Sequence, residues 1–112
     1  MSKVDYHKLV RDRIPEIIRT NGDTPSFRIL ENRAEFVAAL AAKILEESNE
    51  AHEAALSGDR DEITKEIADV LEVLDAVARE FSISPEEIRR VQTDRREKRG
   101  GFENRIFLES AE

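Results

Sequence analysis

Apolar residues recur along most of the chain at helical spacing, and clusters of Gly, Pro, Asn and Ser divide that pattern into four segments. The dividing clusters are Asn21-Gly22-Asp23-Thr24-Pro25, Ser57-Gly58-Asp59, Ser82-Ile83-Ser84-Pro85 and Gly100-Gly101. The first segment runs from about Tyr6 to Arg19, and Pro15, which has no N–H to donate, limits or bends its start. The second runs from Ala34 to Leu56 with Asn32 as its N-cap, and the third from about Asp61 to Phe81 with Asp59 or Asp61 as the cap. The fourth opens on Ser84, with Pro85 at the first helical position and Glu87 three residues after the cap. That is a capping box, and the helix ends near Arg99, before Gly100. Two short runs, 27–30 (FRIL) and 105–108 (RIFL), are rich in β-formers, which predicts a small two-strand pairing between them. The expected fold is all-α: one domain over residues 1–112, built on a four-helix core, with that pairing as an addition.

The second and third helices break the amphipathic rule in the same way. On a wheel centred on Ile44, the residues Val37, Leu40, Ala41, Ala51 and Ala55 cluster on one face. Glu47 falls about 60° from that centre and Glu50 about 120°, while Glu46 points nearly to the opposite side. On a wheel centred on Ile63, with Ile67, Val70, Leu74, Val77 and Phe81 around it, Glu66 falls about 60° off and Asp69 about 120°. The short link at Ser57-Gly58-Asp59-Arg60 implies an antiparallel hairpin, and both acidic pairs then lie level, about 15 Å from the turn. If both face inward, four carboxylates converge beside an apolar core. Such a cluster repels itself unless a cation neutralises it, and an all-oxygen donor set selects a hard ion, Mg²⁺ or Mn²⁺. That assembly suits metal-assisted attack of water on a phosphate chain. A ferritin-like di-iron centre does not fit, because it needs Glu-x-x-His on two helices; Asn49 stands three residues before His52, which is read as a surface residue.

Composition narrows the function further. The chain has 112 residues, 38% charged and 39% hydrophobic, with 5% aromatics and no Trp. Tyr6, Phe27, Phe36, Phe81, Phe102 and Phe107 are therefore expected mostly in the core, with Phe102, beside two glycines, the best candidate to stack on a base. The absence of Cys excludes disulfides and thiolate chemistry, and two His make a His-rich zinc site improbable. A net charge of −7 argues against a nucleic-acid partner. No stretch is apolar enough to span a membrane and no N-terminal apolar leader is present, so a cytoplasmic setting is expected.

These residues resemble the MazG-like, all-α nucleoside triphosphate pyrophosphohydrolase superfamily, including its phosphoribosyl-ATP pyrophosphohydrolase-like members. The superfamily motif, E-E-x-x-E followed by E-x-x-D, stands here as Glu46-Glu47-Ser48-Asn49-Glu50 and Glu66-Ile67-Ala68-Asp69 across a fifteen-residue spacer. The segments KLVRDRIPEII (8–18), EIADVLEVLDA (66–76) and KRGGFENRIFLES (98–110) are similar to a compact, single-domain branch of the group. The resemblance implies cleavage of a nucleoside triphosphate between the α- and β-phosphates, with Glu47, Glu50, Glu66 and Asp69 holding Mg²⁺, or Mn²⁺ as a substitute. Glu46, Glu47 and Glu50 are the catalytic candidates, and Glu47 or Glu50 would orient or deprotonate the attacking water. The departing pyrophosphate needs cations. Arg95, Lys98 and Arg99 share one face of the fourth helix, and Lys8 and Arg11 form an i, i+3 pair. A house-cleaning role against damaged or nonstandard nucleotides is what such relatives suggest, with phosphoribosyl-ATP hydrolysis as a neighbouring activity. A homo-oligomer, dimer or tetramer, is expected. The alternative from another class is an acidic helical adaptor that kept the fold without activity.

Overall fold

The computed structural model describes residues 3–112. Its helices are α1 (Ile14–Thr20), α2 (Arg33–Ser57), α3 (Arg60–Glu80) and α4 (Pro85–Arg99), and no strand occurs among the described residues, so the fold is all-α. Local chemistry sets the boundaries. The Asn32 side chain accepts a hydrogen bond from the Glu35 N–H, Asp59 accepts from the N–H groups of Asp61 and Glu62, and Ser84 Oγ accepts from the Glu87 N–H. Gly58 closes α2 in the left-handed conformation, φ 72°, where a Cβ would be strained. α1 starts at Ile14 rather than near Tyr6, because proline is tolerated in the first turn and not further in.

The expected strand pairing does not form. Ile29, Ile106, Phe107 and Leu108 are all exposed, at 73%, 83%, 88% and 78%. A lone two-strand ribbon is marginal in water, and here no third strand or helix covers it.

The α2–α3 hairpin carries the extensive helix packing in the chain. Most of its buried positions have heptad spacing, Leu40, Glu47 and Ala54 on α2 and Glu66 and Val73 on α3, flanked by half-buried Val37, Ile44, Ala51, Ile63, Val70 and Val77; Ala78, also buried, lies off that register. Glu47 and Glu66 therefore sit in the seam itself, closer to its centre than the helical wheels place them. α4 buries none of its residues.

The rest of the apolar surface is uncovered. Ile67, Leu71 and Leu74 on α3, with Phe81 at its C-cap, form a second stripe and remain 43–54% exposed, and of the six aromatics only Phe36 is half-buried. The expectation that aromatics fill the core fails within one chain. Phe81 instead lies 4.9 Å from the Arg33 guanidinium, and Phe27 5.9 Å from that of Arg19. The radius of gyration is 18.3 Å, against about 13 Å for a compact domain of this length. The accessible surface is 10290 Å², against about 6300 Å² for a compact monomer of this mass.

Candidate metal centre

Placing a glutamate at a heptad core position costs desolvation, and two such residues face each other across this hairpin. Glu47 is 9% exposed and Glu66 7%, and the Oε2 atom of each is buried without a hydrogen-bond partner. One carboxylate oxygen each from Glu47, Glu66 and Asp69 lie within 4.8 Å of one another. Burial, followed by the adjacent Glu50 carboxylate, pushes the Glu47 carboxyl above the ordinary carboxylate value. Three carboxylates this close together, two of them with an orphaned oxygen, form a donor set suited to a hard divalent cation. The residues present therefore fit the expected ion. Glu50 lies outside the tight triad. It is exposed, and it borders a shallow groove with Glu53, Glu62 and Glu66 on the side toward the turn.

Four cations partly neutralise the cluster. Lys43 reaches Glu46 at 2.9 Å and Glu47 at 3.6 Å, and Lys65 lies 3.7 Å from Glu66. Lys8 donates to Glu46 at 2.9 Å, and Arg11 donates to Asp69 at 2.7 Å. The Lys43 and Lys8 ammonium groups hold the Glu46 carboxyl below its ordinary value, opposite in direction to Glu47 one residue away. Glu46 thus faces the irregular N-terminal segment while Glu47 faces the seam, in agreement with the helical phase. Lys43 and Lys65 escaped the sequence reasoning. The available signal for Lys43 was its i, i+3 and i, i+4 spacing to Glu46 and Glu47.

Of the proposed phosphate-binding cations, Lys8 and Arg11 are brought to the carboxylates and α4 is not. Lys98 pairs with Asp94 on its own helix at 3.1 Å, and Arg96 pairs with Glu103. Arg95, Lys98 and Arg99 lie on a helix that no other helix of the chain packs against extensively. His52 is exposed, as expected. Among the described residues, no helix is long and apolar enough to cross a membrane.

Comparison with known proteins agrees with this geometry. A Mycolicibacterium smegmatis protein described as uncharacterized is 50% identical over 58 aligned positions, and the match covers 47% of this chain and 58% of that protein. The chain thus spans under two thirds of the length of the curated relative it matches. No solved structure matches it. Residues 5–96 match the family described as phosphoribosyl-ATP pyrophosphohydrolase, a span that includes the N-terminal cations, both acidic motifs and most of α4. Acidic pairs in phase, meeting in a hairpin seam within that span, agree with this match, and the chain belongs to the phosphoribosyl-ATP pyrophosphohydrolase family.

Proposed function

We propose that the protein is a Mg²⁺-dependent pyrophosphohydrolase that cleaves a nucleoside triphosphate between its α- and β-phosphates, releasing the monophosphate and pyrophosphate. The observation that carries this reading is the pair of unpartnered, buried carboxylate oxygens on Glu47 and Glu66 beside Asp69. Glu47, Glu66 and Asp69 would hold the ion, with Glu50 as the fourth ligand or the residue that orients the attacking water. A bound Mg²⁺ supplies charge neutralisation on the phosphate chain and a more acidic water.

The chain's own residues do the rest. Glu47 or Glu50 is suited to orient the attacking water or take its proton as the bond to phosphorus forms. Glu46 keeps Lys43 in place beside Glu47. Arg95, Lys98 and Arg99 would serve the departing pyrophosphate in an assembled protein.

We propose that the assembly is a homo-oligomer. The chain exposes about 4000 Å² more surface than a compact monomer of its mass, and the Ile67, Leu71, Leu74 and Phe81 stripe supplies an apolar face for a second copy. A house-cleaning substrate and a cytoplasmic setting belong to this reading. The family match favours phosphoribosyl-ATP as a second candidate substrate. A panel of nucleoside triphosphates and phosphoribosyl-ATP, assayed with Mg²⁺ for pyrophosphate and orthophosphate, tests it. Pyrophosphate release from at least one is expected. Orthophosphate release would move the cleaved bond, and no product from any would favour the adaptor.

A further inference from the structure

Residues 3–11 contain no helix or strand, yet they lie against the α2–α3 hairpin through two long-range ion pairs, Lys8 to Glu46 and Arg11 to Asp69. Arg11 neutralises a member of the carboxylate triad, so it occupies charge that a divalent ion would need. Lys8 pairs with Glu46, which lies outside that triad. Both cations keep much of their surface in water, with side chains 57% and 42% exposed, so these pairs are weak enough to exchange.

Resting on the pyrophosphohydrolase reading, we infer that this segment is a cationic strap that changes partners. In the metal-free protein Arg11 neutralises Asp69. Once a divalent ion takes Asp69, the Arg11 guanidinium is released and, with Lys8, closes on the substrate's phosphate oxygens, for which its planar fork is suited. Metal and Arg11 therefore compete, whereas substrate and Arg11 cooperate. The opposite signs set this apart from a structural ion pair.

The test uses the full chain, Mn²⁺ followed by the electron paramagnetic resonance of the free ion, and an α,β-methylene nucleoside triphosphate that cannot be cleaved. Arg11→Gln is expected to bind Mn²⁺ alone about two- to fivefold tighter, the range set by one exposed ion pair. The same variant should bind the analogue, with Mn²⁺ saturating, about tenfold more weakly or worse, as loss of a charged hydrogen bond requires. Lys8→Gln should weaken the analogue and tighten Mn²⁺ binding less than Arg11→Gln does, because its direct partner, Glu46, lies outside the triad. Independently of any variant, tryptic cleavage of the wild type after Lys8 and Arg11 should quicken with Mg²⁺ alone and slow when the analogue is added. Unchanged or weaker Mn²⁺ binding by Arg11→Gln, or protection of the strap by Mg²⁺ alone, overturns the exchange. If the wild type binds Mn²⁺ and releases pyrophosphate while Arg11→Gln alters neither affinity, the strap fails and the proposed activity stands. A wild type that binds no Mn²⁺ overturns both.

Discussion

Replacing Glu47 with glutamine removes one negative charge from a seam where three carboxylates meet, and its effect should reverse sign with Mg²⁺. At 4.8 Å, the outer limit of separation within the triad, two unit charges repel by about 0.9 kcal/mol in bulk water and about 3.5 kcal/mol at an effective dielectric of about 20. Lys43 offsets part of this, and it retains Glu46 at 2.9 Å when Glu47 is neutralised. The new amide also adds a donor to a seam that holds an unpartnered acceptor, Glu66 Oε2. A net gain of about 1 kcal/mol for the metal-free protein follows, which corresponds to roughly 4–8 °C in melting temperature. The wild type should gain about 2.7 kcal/mol from Mg²⁺ at about 100 times its dissociation constant, and the variant much less. Thermal unfolding in EDTA should therefore rank Glu47→Gln above the wild type, and saturating Mg²⁺ should invert the order. A variant that melts lower in EDTA, or that gains as much from Mg²⁺ as the wild type, would refute the placement of Glu47 in a metal-binding seam.

Glu50→Gln, Glu66→Gln and Asp69→Asn should each lower pyrophosphate release by roughly 10²-fold or more, and Glu46→Gln by about 10- to 100-fold, in initial-rate assays with Mg²⁺. The raised Glu47 carboxyl stabilises the metal-free fold when protonated. That contribution is complete below 4.5 and is lost as pH rises through the folded-state value. The urea midpoint of the wild type in EDTA should therefore approach that of Glu47→Gln on acidification, and parallel midpoints would contradict it. Sedimentation at micromolar concentration should give an oligomer, and a clean 12.8 kDa species would rule that out. Gly58→Ala should cost about 1 kcal/mol by denaturant unfolding, because φ 72° suits only glycine without strain.

What was legible in the sequence was what depends on near neighbours. Asn32, Asp59 and Ser84 act within three residues of themselves, so their capping follows from residue type and position. Glu47 and Glu66 were found because helical phase and a short turn fix where their side chains go. Contacts across 38 and 58 residues, such as Lys8 to Glu46 and Arg11 to Asp69, leave no periodic trace. The runs at 27–30 and 105–108 show the converse error. Their β-formers describe a preference that needs a partner surface, and no such surface is present.

The link between α2 and α3 is only Gly58 and Asp59, and this has a kinetic consequence. A hairpin closed by so short a loop forms from contacts near in sequence, the kind that assemble in microseconds to milliseconds. Zippering outward from the turn passes Ala54 before it reaches the level of Glu47 and Glu66, where two desolvating anions oppose the next step. A divalent ion present while the chain folds should lower that obstacle, so stopped-flow refolding should be faster with Mg²⁺ than in EDTA. Equal rates would mean that the seam closes before its charges are desolvated. Faster refolding with Mg²⁺ would show the metal acting on the folding rate as well as on the finished site, through the same two side chains.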